Sequence, residues 1–531
     1  MQNAALLSFT IPVCRRVRLD GNMQPDVGQD LIQHQGKGIR IYVLKTLDRI
    51  SAFRILALKT DKGQSMKICV LNGSPKIKEN SVTMHYLMYL QKKLPEASFH
   101  ILNVANMVNR LEQDPGAYQE VMSSISNSDG IIWGFPLYYL LVSSQMKRFI
   151  ELVAERKSEP AFHAKPAAAI TTSIHFCDNY ALKYIREVSE DLGMKFFDAY
   201  SAGMYDLNNA QERDRLEAFA RNFLDFVKQG SAVPPQTLPL VYRPIELDLS
   251  SKPAANRPTG KKAVIITDER EEDRNLRAMT AYLKSAFGDQ ADVVNLRSIK
   301  INGGCLGCLH CGYDFTCVYD GKDEYRSVFE ARISPADMII LAGSIHDRFF
   351  SAKWKQFFDR SFFHNHIPML EGKQVGIVIS GPLRQMGNLR MLLQNYFEVQ
   401  KANLVDMVSD DYPEVEPVLA GLRNLADRMR SLAEQNYRAP QTFLGIAGHK
   451  VFRDAIFGGL RFPFVRDYLH YKKSGGFDFP HRNWKNIFLS GIMMLLTRIP
   501  NMREEIYTKR LISGMTNPLK KIVEQEKALD E

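Results

Sequence analysis

The strongest constraint on the fold is that one pattern of strands and helices occurs twice in this chain. Residues 67–72 (KICVLN) form a short apolar run typical of a buried parallel strand, and a helical pattern follows. Strand and helix patterns then alternate up to residue 228, and the alternation restarts at residues 262–267 (KAVIIT). Such repeated β-α units predict an α/β fold with a doubly wound, five-stranded parallel sheet in each half.

The two halves align without gaps over a long window at an offset of 208 residues. SDGII at 128–132 matches ADMII at 336–340, and Lys147 matches Lys355. The first strands are offset by only 195 residues, so the second copy has gained 13 residues between its first and third strands. A repeat of this length indicates a fused duplication.

The inserted region contains four of the seven cysteines of the chain, at the spacing C-x2-C-x2-C-x5-C. These four are Cys305, Cys308, Cys311 and Cys317. Thiolates this close together can hold one soft metal centre, or they can form a redox-active dithiol. The other cysteines are scattered, unlike those of a secreted disulfide scaffold, and no signal peptide is recognised, so we expect a cytoplasmic protein.

The loop after the first strand, GSPKIKENS at 73–81, has the composition of a phosphate site. Ser74, Asn80 and Ser81 can donate to phosphate oxygens at a helix N-terminus, and Lys76 adds positive charge. The alternative is a plain turn in which the polar side chains cap the helix. The equivalent segment of the second copy, TDEREED at 267–273, carries five carboxylates and would repel phosphate.

Two further loops follow strands of the first copy. The segment GFPLYY at 134–139 places aromatic groups where they can flank a planar ring, although core aromatics at a strand exit are the alternative. The segment TTS at 171–173 follows the next strand. Because parallel strands end at one edge of the sheet, both loops are expected beside the first loop.

The segments MKICVLNGSPKIKENS and GFPLYYLLVSSQMKRFIELV resemble the NADPH-dependent FMN reductase branch of the flavodoxin-like superfamily. The resemblance covers about 66–228 and, more weakly, 262–436. It implies that the first loop binds the FMN phosphate and that the P-x-Y segment lines the flavin ring. The FMN-binding residues that it implies are Ser74, Lys76, Asn80, Ser81, Pro136, Leu137, Tyr138, Tyr139, Thr172 and Ser173.

The second copy resembles the cysteine-bearing members of this superfamily, which include the iron–sulfur flavoproteins. That resemblance implies a 4Fe-4S cluster on the four cysteines. Flavin oxidoreductases with similar cysteine segments and no cluster are also known, so zinc, a thiol role or no metal remain alternatives.

The sequence divides into five predicted segments. They are an N-terminal extension of weak order (1–65), the FMN-binding domain (66–228), a proline-rich linker (229–261), the second flavodoxin-like domain (262–436) and a basic helical extension (437–531). Of the net charge of +10, the last segment carries +7, from sixteen Lys and Arg against nine Asp and Glu. Because the excess positive charge lies in the flanks, a nucleic-acid partner is not expected.

Residues 440–515 contain apolar islands among basic side chains. The longest, IFLSGIMMLLT, is 11 residues long, far short of the ~20 that span a bilayer. Such a segment can lie in a membrane interface, or it can pack as helices on the two domains or on a second subunit.

We expect an enzyme that passes electrons from NAD(P)H through FMN to a cysteine-bound centre or to an external acceptor, such as a quinone, a nitro compound or a partner protein. No side chain need act as acid or base, so no catalytic residue is predicted. The alternatives are an electron carrier or redox sensor without NAD(P)H turnover, and a metal-binding scaffold without flavin. Relatives form homodimers, and a fused pair could imitate such a dimer within one chain.

Overall fold

The computed structural model describes residues 65–76, 80–249, 260–364, 366–478, 484–513 and 516–517. The predicted N-terminal extension lies outside the described residues except for Ser65. The domain and linker boundaries stay predictions. Residues 230–249 of the predicted linker form neither helix nor strand.

Two five-stranded sheets, both wholly parallel, form the body of the protein. The first consists of β1 Met66–Asn72, β2 Ala97–Leu102, β3 Gly130–Pro136, β4 Pro166–Ser173 and β5 Lys195–Gly203, in the order β2-β1-β3-β4-β5. The second consists of β6 Ala263–Thr267, β7 Ala291–Asn295, β8 Met338–Ser344, β9 Gln374–Ser380 and β10 Asn403–Ser409, in the order β7-β6-β8-β9-β10. Both orders are that of flavodoxin, so the predicted fold class is confirmed.

The helices pack on both faces of the sheets and continue into the C-terminal region. Those of the first copy are α1 Val82–Lys93, α2 Val108–Gln113, α3 Pro115–Ser126, α4 Ser144–Glu155, α5 Asp178–Asp191 and α6 Ala210–Gln229. Those of the second copy are α7 Arg274–Phe287, α8 Cys311–Asp314, α9 Tyr325–Val328, α10 Ala352–Arg360, α11 Gly387–Val399 and α12 Val415–Glu434. The C-terminal helices are α13 Phe443–Phe457, α14 Val465–Lys473, α15 Trp484–Leu496 and α16 Pro500–Glu505.

The repeat is visible at the level of single hydrogen bonds. The Lys165 ammonium donates to the carbonyls of Ser126 and Ser128, at 2.9 and 2.6 Å. Its equivalent Lys373 donates to the carbonyls 208 residues further on, those of Ser334 and Ala336, at 2.7 and 2.5 Å. The two copies therefore share side-chain roles as well as strand order, as a fused duplication requires.

Helices α4 and α10 occupy equivalent positions in the two copies and pack against each other. The backbone N–H of Ser144 at the start of α4 donates to Asp359 Oδ2 of α10 at 2.7 Å. Reciprocally, the N–H of Ala352 at the start of α10 donates to Glu151 Oε1 of α4 at 2.6 Å. The two copies thus meet through a pseudo-two-fold interface, in which each helix N-terminus is paired with a carboxylate of the other copy.

Each carboxylate of this interface also binds a lysine one turn away on its own helix. Lys147 pairs with Glu151 at 2.7 Å and with Asp347 of the second copy at 3.1 Å. Lys355 pairs with Asp359, and its ammonium also donates to the carbonyl of Tyr138 in the first copy at 3.0 Å. Both lysines are fully buried, so the interface is a closed ionic network inside a continuous apolar core.

The C-terminal extension divides into a packed half and an exposed half. Helices α13 and α14 pack on the body: Phe452 stacks on Phe176 with the ring centroids 3.9 Å apart, and His366 Nδ1 lies 2.6 Å from Asp467. Along α15, by contrast, the large apolar side chains are mostly exposed to solvent. Within the described part of the chain, no helix combines the length and apolarity needed to cross a bilayer.

Candidate functional site

The loop after β1 holds its two buried serines by hydrogen bonds to the backbone. Ser74 accepts from the N–H of Lys76 at 3.1 Å, while its own N–H donates to Asn72 Oδ1 at 3.0 Å. Ser81 caps α1 by accepting from the N–H of Met84 at 3.3 Å. These bonds fix the start of α1 at the carboxyl edge of the sheet, where its free N–H groups form a place for an anion.

The loops after β3 and β4 are tied to that first loop. The hydroxyls of Thr172 and Thr83 lie 2.7 Å apart, which joins the β4 loop to α1. The N–H of Leu137 donates to the carbonyl of Thr172 at 3.1 Å, and Ser173 accepts from the N–H of His175 at 2.8 Å. The structure therefore brings together the three polar loops that the sequence placed at one edge.

A tight turn after β3 sends its two tyrosines to different places. Tyr138 and Leu141 exchange backbone hydrogen bonds of 2.8 and 3.0 Å, and between them Tyr139 and Leu140 adopt left-handed φ angles of 40° and 63°. The ring of Tyr139 lies 5.9 Å from that of Phe362 in the second copy. Tyr139 is thus part of an aromatic cluster between the copies, and its role as a flavin neighbour stays a prediction.

Tyr138 instead lies against the cysteine loop of the second copy. Gly307 has a φ of 62°, and a side chain there would collide with the Tyr138 hydroxyl and would lie 3.4 Å from Lys76 Cε. Gln145 of α4 donates its side-chain amide to the carbonyl of Cys305 at 3.4 Å. The cysteine loop of one copy therefore covers the first and second loops of the other.

All four cysteines line one small cavity of about 20 Å³ in this loop. All four are free thiols; Gly307 donates its N–H to Cys305 Sγ at 3.4 Å, and Cys311 Sγ contacts the Phe362 carbonyl at 3.6 Å. Burial raises the pKa of the Cys311 thiol to about 12. Arg360, which also lines the cavity, is paired with Asp323 at 2.6 Å.

This donor set has the chemistry of a metal or iron–sulfur site, namely four thiols on one cavity with an N–H that donates to a sulfur. Among the described residues, however, no three His, Cys, Asp or Glu side chains are grouped closely enough to hold a metal ion as they stand. The cysteines fit a cluster in type and number, and they would have to move inward to bind one.

The packed half of the C-terminal extension covers the cysteine loop. The carbonyl of Pro463 approaches Gly312 so closely that no side chain would fit there. The guanidinium of Arg466 lies 5.0 Å from the centre of the Phe315 ring. Since Phe452 also stacks on Phe176 beside the β4 loop, the extension spans both copies at the site. The sequence showed apolar islands in this segment and gave no signal of where they would pack.

The second copy does not reproduce the first loop of the first copy. Asp268 stands where the first copy has Gly73; it is buried and accepts a hydrogen bond from Ser351. Arg297 donates to the Asp268 carbonyl at 2.6 Å, and its guanidinium lies 3.7 Å from the carboxylate. The position that corresponds to Gly73 of the first copy's polar loop is therefore filled by a buried carboxylate.

Comparison with known protein families gives a match that falls on both copies. The family described as NADPH-dependent FMN reductase matches residues 66–197 and 262–409, that is, both sheets. No curated protein sequence matches the chain.

Three solved structures illustrate the similarity. FerB, a flavoenzyme NAD(P)H:acceptor oxidoreductase from Paracoccus denitrificans, is 19% identical and has a TM-score of 0.26, with 32% of this chain and 100% of FerB covered. The NADH:FMN oxidoreductase EmoB is 18% identical, with 32% and 92% covered and a TM-score of 0.26. General stress protein 14 from Treponema denticola, solved with FMN, is 14% identical, with 31% and 99% covered and a TM-score of 0.24.

The identification rests on the family match, because it spans more than half of the chain and falls on both copies of the duplicated sheet. The polar loops at the edge of the first sheet stand where ligands bind in such folds. The chain therefore belongs to the NADPH-dependent FMN reductase family and is a flavin-dependent NAD(P)H oxidoreductase.

Proposed function

We propose that the chain binds one FMN, in the first copy only, and passes electrons from NAD(P)H to an acceptor by way of the cysteine loop of the second copy. The observation that carries the proposal is the contact of the cysteine loop with Tyr138 and Lys76 of the first copy. FMN, when bound, supplies chemistry that connects two-electron and one-electron transfers. The close approach of the two loops supports electron transfer within one chain.

The residues of the first copy would act by binding and orientation. The N-terminus of α1, with Ser74, Asn80 and Ser81, would hold the phosphate, and Lys76 would neutralise its charge. Pro136, Leu137, Tyr138 and Tyr139 would line the flavin ring, and Thr172 and Ser173 would contribute to the same site from the end of β4. The second copy would bind no FMN, because Asp268 and its neighbouring carboxylates repel a phosphate.

The cysteine loop would hold the second redox group. Cys305, Cys308, Cys311 and Cys317 would ligate a 4Fe-4S cluster, with zinc or free thiols as the alternatives. Helix α14 packs against α8, which begins at Cys311, and would limit the access of water to that part of the loop. This matters because exposure and N–H···S hydrogen bonds tune such centres.

The reductase activity is tested by reduction of the bound flavin. We expect the purified full chain to be yellow, and NADH or NADPH to bleach its absorbance near 450 nm under anaerobic conditions. The contradictory result is a yellow protein that neither nucleotide bleaches but dithionite does, which would indicate an electron carrier. A colourless protein that does not take up added FMN would indicate a metal-binding scaffold.

The assignment of FMN to the first copy is tested by a pair of charge reversals. Lys76→Glu should raise the dissociation constant of FMN by about tenfold or more, because a carboxylate replaces an ammonium beside the phosphate. Glu271→Lys, at the equivalent position of the second copy, should leave it unchanged. Titration of the apoprotein with FMN, followed by flavin fluorescence, measures both; equal effects of the two variants would contradict a single site in the first copy.

We also propose that α15 binds an anionic membrane surface. Trp484, Phe488, Met494 and Leu495 are 60–71% exposed, and apolar residues occur on nearly all sides of the helix. Such a helix needs a cover, and its ~20 Å length is too short to span a bilayer. The charge of +7 on residues 437–531 favours an anionic lipid surface over a neutral one as that cover.

Vesicle binding tests this surface. The full chain should co-sediment with vesicles of phosphatidylglycerol and phosphatidylcholine. Phe488→Asp/Leu495→Asp should weaken that binding by about tenfold or more, because two apolar side chains no longer enter the interface. The control Leu238→Asp/Phe443→Asp alters exposed apolar residues outside α15 and should bind normally. Concentration-dependent dimers that the α15 variant abolishes, without vesicle binding, would show that a second copy covers the helix instead.

A further inference from the structure

An open pocket of about 560 Å³ lies between the two copies, outside the loops assigned to FMN except at Pro75. Its walls contain residues of the first copy together with their own repeat equivalents. Gln145 and Lys353 both line it, as do Arg148 and Gln356, each pair 208 residues apart. The pocket therefore lies on the pseudo-two-fold axis, and we call it the axial pocket.

The two walls of the axial pocket differ in charge at equivalent positions. The second copy contributes Arg270 and Lys353 where the first copy has Pro75 and Gln145, and it adds Arg297. The copy that lost a phosphate loop thus presents a cationic wall to the other copy.

The charges on the opposite wall are already compensated. Arg148 of the first copy pairs with Glu112 and Glu155 at 2.6 Å and with Glu151 at 3.2 Å. Its charge is therefore satisfied within its own copy, and it offers little to a ligand. The two carboxylates that line the pocket, Glu112 and Glu151, are both bound to it.

The cations of the second copy are less well compensated. The Arg297 guanidinium lies 3.7 Å from the Asp268 carboxylate, which also accepts a hydrogen bond from Ser351. The Arg270 guanidinium lies 3.7 Å from the Glu272 carboxylate. In the described part of the chain, no carboxylate forms an ion pair with Lys353, and burial together with Arg297 lowers the pKa of its ammonium. Each arginine thus has one carboxylate at 3.7 Å, but none of the five carboxylates of residues 267–273 lines the pocket. The three cations therefore face the pocket without those carboxylates and form an anion site.

The axial pocket is separated from the cysteine cavity by a thin wall. Leu306 and Tyr319 line both spaces, and Gly303 and Gly304 continue that wall into the pocket. A ligand in the axial pocket would therefore lie next to the group that the cysteines hold.

We propose that the axial pocket binds the electron acceptor of the proposed reaction, and that this acceptor is a small organic anion whose acidic group contacts Arg270, Arg297 and Lys353. The inference rests on the proposed function. The acceptor gains two electrons and two protons; NAD(P)H gives up two electrons and one proton to become NAD(P)⁺, and water supplies the second proton.

The test compares binding of anthraquinone-2-sulfonate with that of uncharged 2-hydroxymethylanthraquinone to the purified full chain. In Arg270→Gln/Lys353→Gln, the dissociation constant of the sulfonate should rise at least about tenfold, while that of the uncharged quinone stays the same. The control Lys228→Gln/Lys284→Gln removes two exposed cations outside the pocket and should change neither. Equal binding of the sulfonate by the wild type and the pocket variant overturns the inference.

A second experiment tests whether the three cations bind the acceptor or the phosphate of the nicotinamide nucleotide. Adenosine 2′,5′-bisphosphate should not compete with the sulfonate; competition that the pocket variant abolishes would assign the cations to NADPH and overturn the acceptor role. Flavin content and bleaching by NAD(P)H should be normal in the pocket variant. A wild-type flavin that NAD(P)H does not bleach would contradict the proposed function. Unchanged sulfonate binding in the pocket variant would contradict only this inference.

Discussion

Replacement of Asp359 by leucine should lower the free energy of unfolding by about 3–5 kcal/mol, because it removes one partner of a buried ion pair. Asp359 and Lys355 are both fully buried, and Asp359 also accepts the N–H of Ser144 across the interface at 2.7 Å. The substitution leaves an ammonium without its carboxylate and a helix N-terminus without its acceptor. Urea unfolding followed by circular dichroism and tryptophan fluorescence measures the loss.

Two further variants serve as controls for this effect. Asp359→Leu/Lys355→Met removes both charges and keeps the volume, and it should recover most of the loss. Glu330→Leu breaks the i,i+4 pair with Arg326 at 2.8 Å, whose side chains are 54% and 32% exposed, and it should cost about 0–1 kcal/mol. A loss for Asp359→Leu as small as that for Glu330→Leu would show that the network contributes little.

The expected recovery in the double variant follows from the desolvation of the pair. Burial lowers the pKa of Lys355 and raises the pKa of Asp359, so for each group the loss of water outweighs the attraction of its partner. Removal of one partner of the ion pair should therefore lower the free energy of unfolding strongly, whereas removal of both should change it little. The ion pair therefore serves mainly to set the relative position of the two copies, since the same arrangement occurs in α4 and in α10.

The cysteine quartet yields the second large effect. After anaerobic purification we expect about four iron and four sulfide per chain, and Cys311→Ser should reduce both to near zero, because a cluster needs all four thiolates for tight binding. Cys177→Ser is the control, since Cys177 lies outside the quartet and its sulfur accepts a hydrogen bond from the Asn395 side-chain amide at 2.6 Å. Metal analysis and the visible spectrum of the flavin-free protein give the readout.

The other outcomes of that analysis are equally informative. One zinc per chain, lost in Cys311→Ser, would replace the cluster by a structural metal. No metal in the anaerobically purified wild type would contradict the cluster and leave a thiol role. Neither result would affect flavin reduction in the first copy, because Ser74, Lys76 and Ser81 belong to a separate loop.

The sequence predicted the fold well because its signals are local. Buried parallel strands appear as short apolar runs such as KICVLN, and the gapless repeat doubled every such signal. The repeat also identified Lys147 and Lys355 as equivalent residues. It could not show that Glu151 and Asp359, one turn further on, pair with the opposite copy, because i,i+4 spacing reveals contacts only within a helix.

The placement of the three polar loops was also predictable, because the carboxyl ends of parallel strands meet at one edge of a sheet. The destinations of individual side chains were not. Tyr138 and Tyr139 are neighbours in sequence, yet the left-handed turn at Tyr139 and Leu140 sends one to the cysteine loop and the other to Phe362. Such a turn has no glycine to indicate it.

By itself, the sequence determined that this protein consists of two flavodoxin-like copies, one with a polar loop after its first strand and one with four cysteines. Only the tertiary structure decided that these two features adjoin, that α14 packs against the cysteine loop and that α15 remains exposed. The physical reason is that strand and helix patterns record which face of an element is buried. How two finished domains dock depends on the packing of α4 against α10, which joins residues about 200 positions apart.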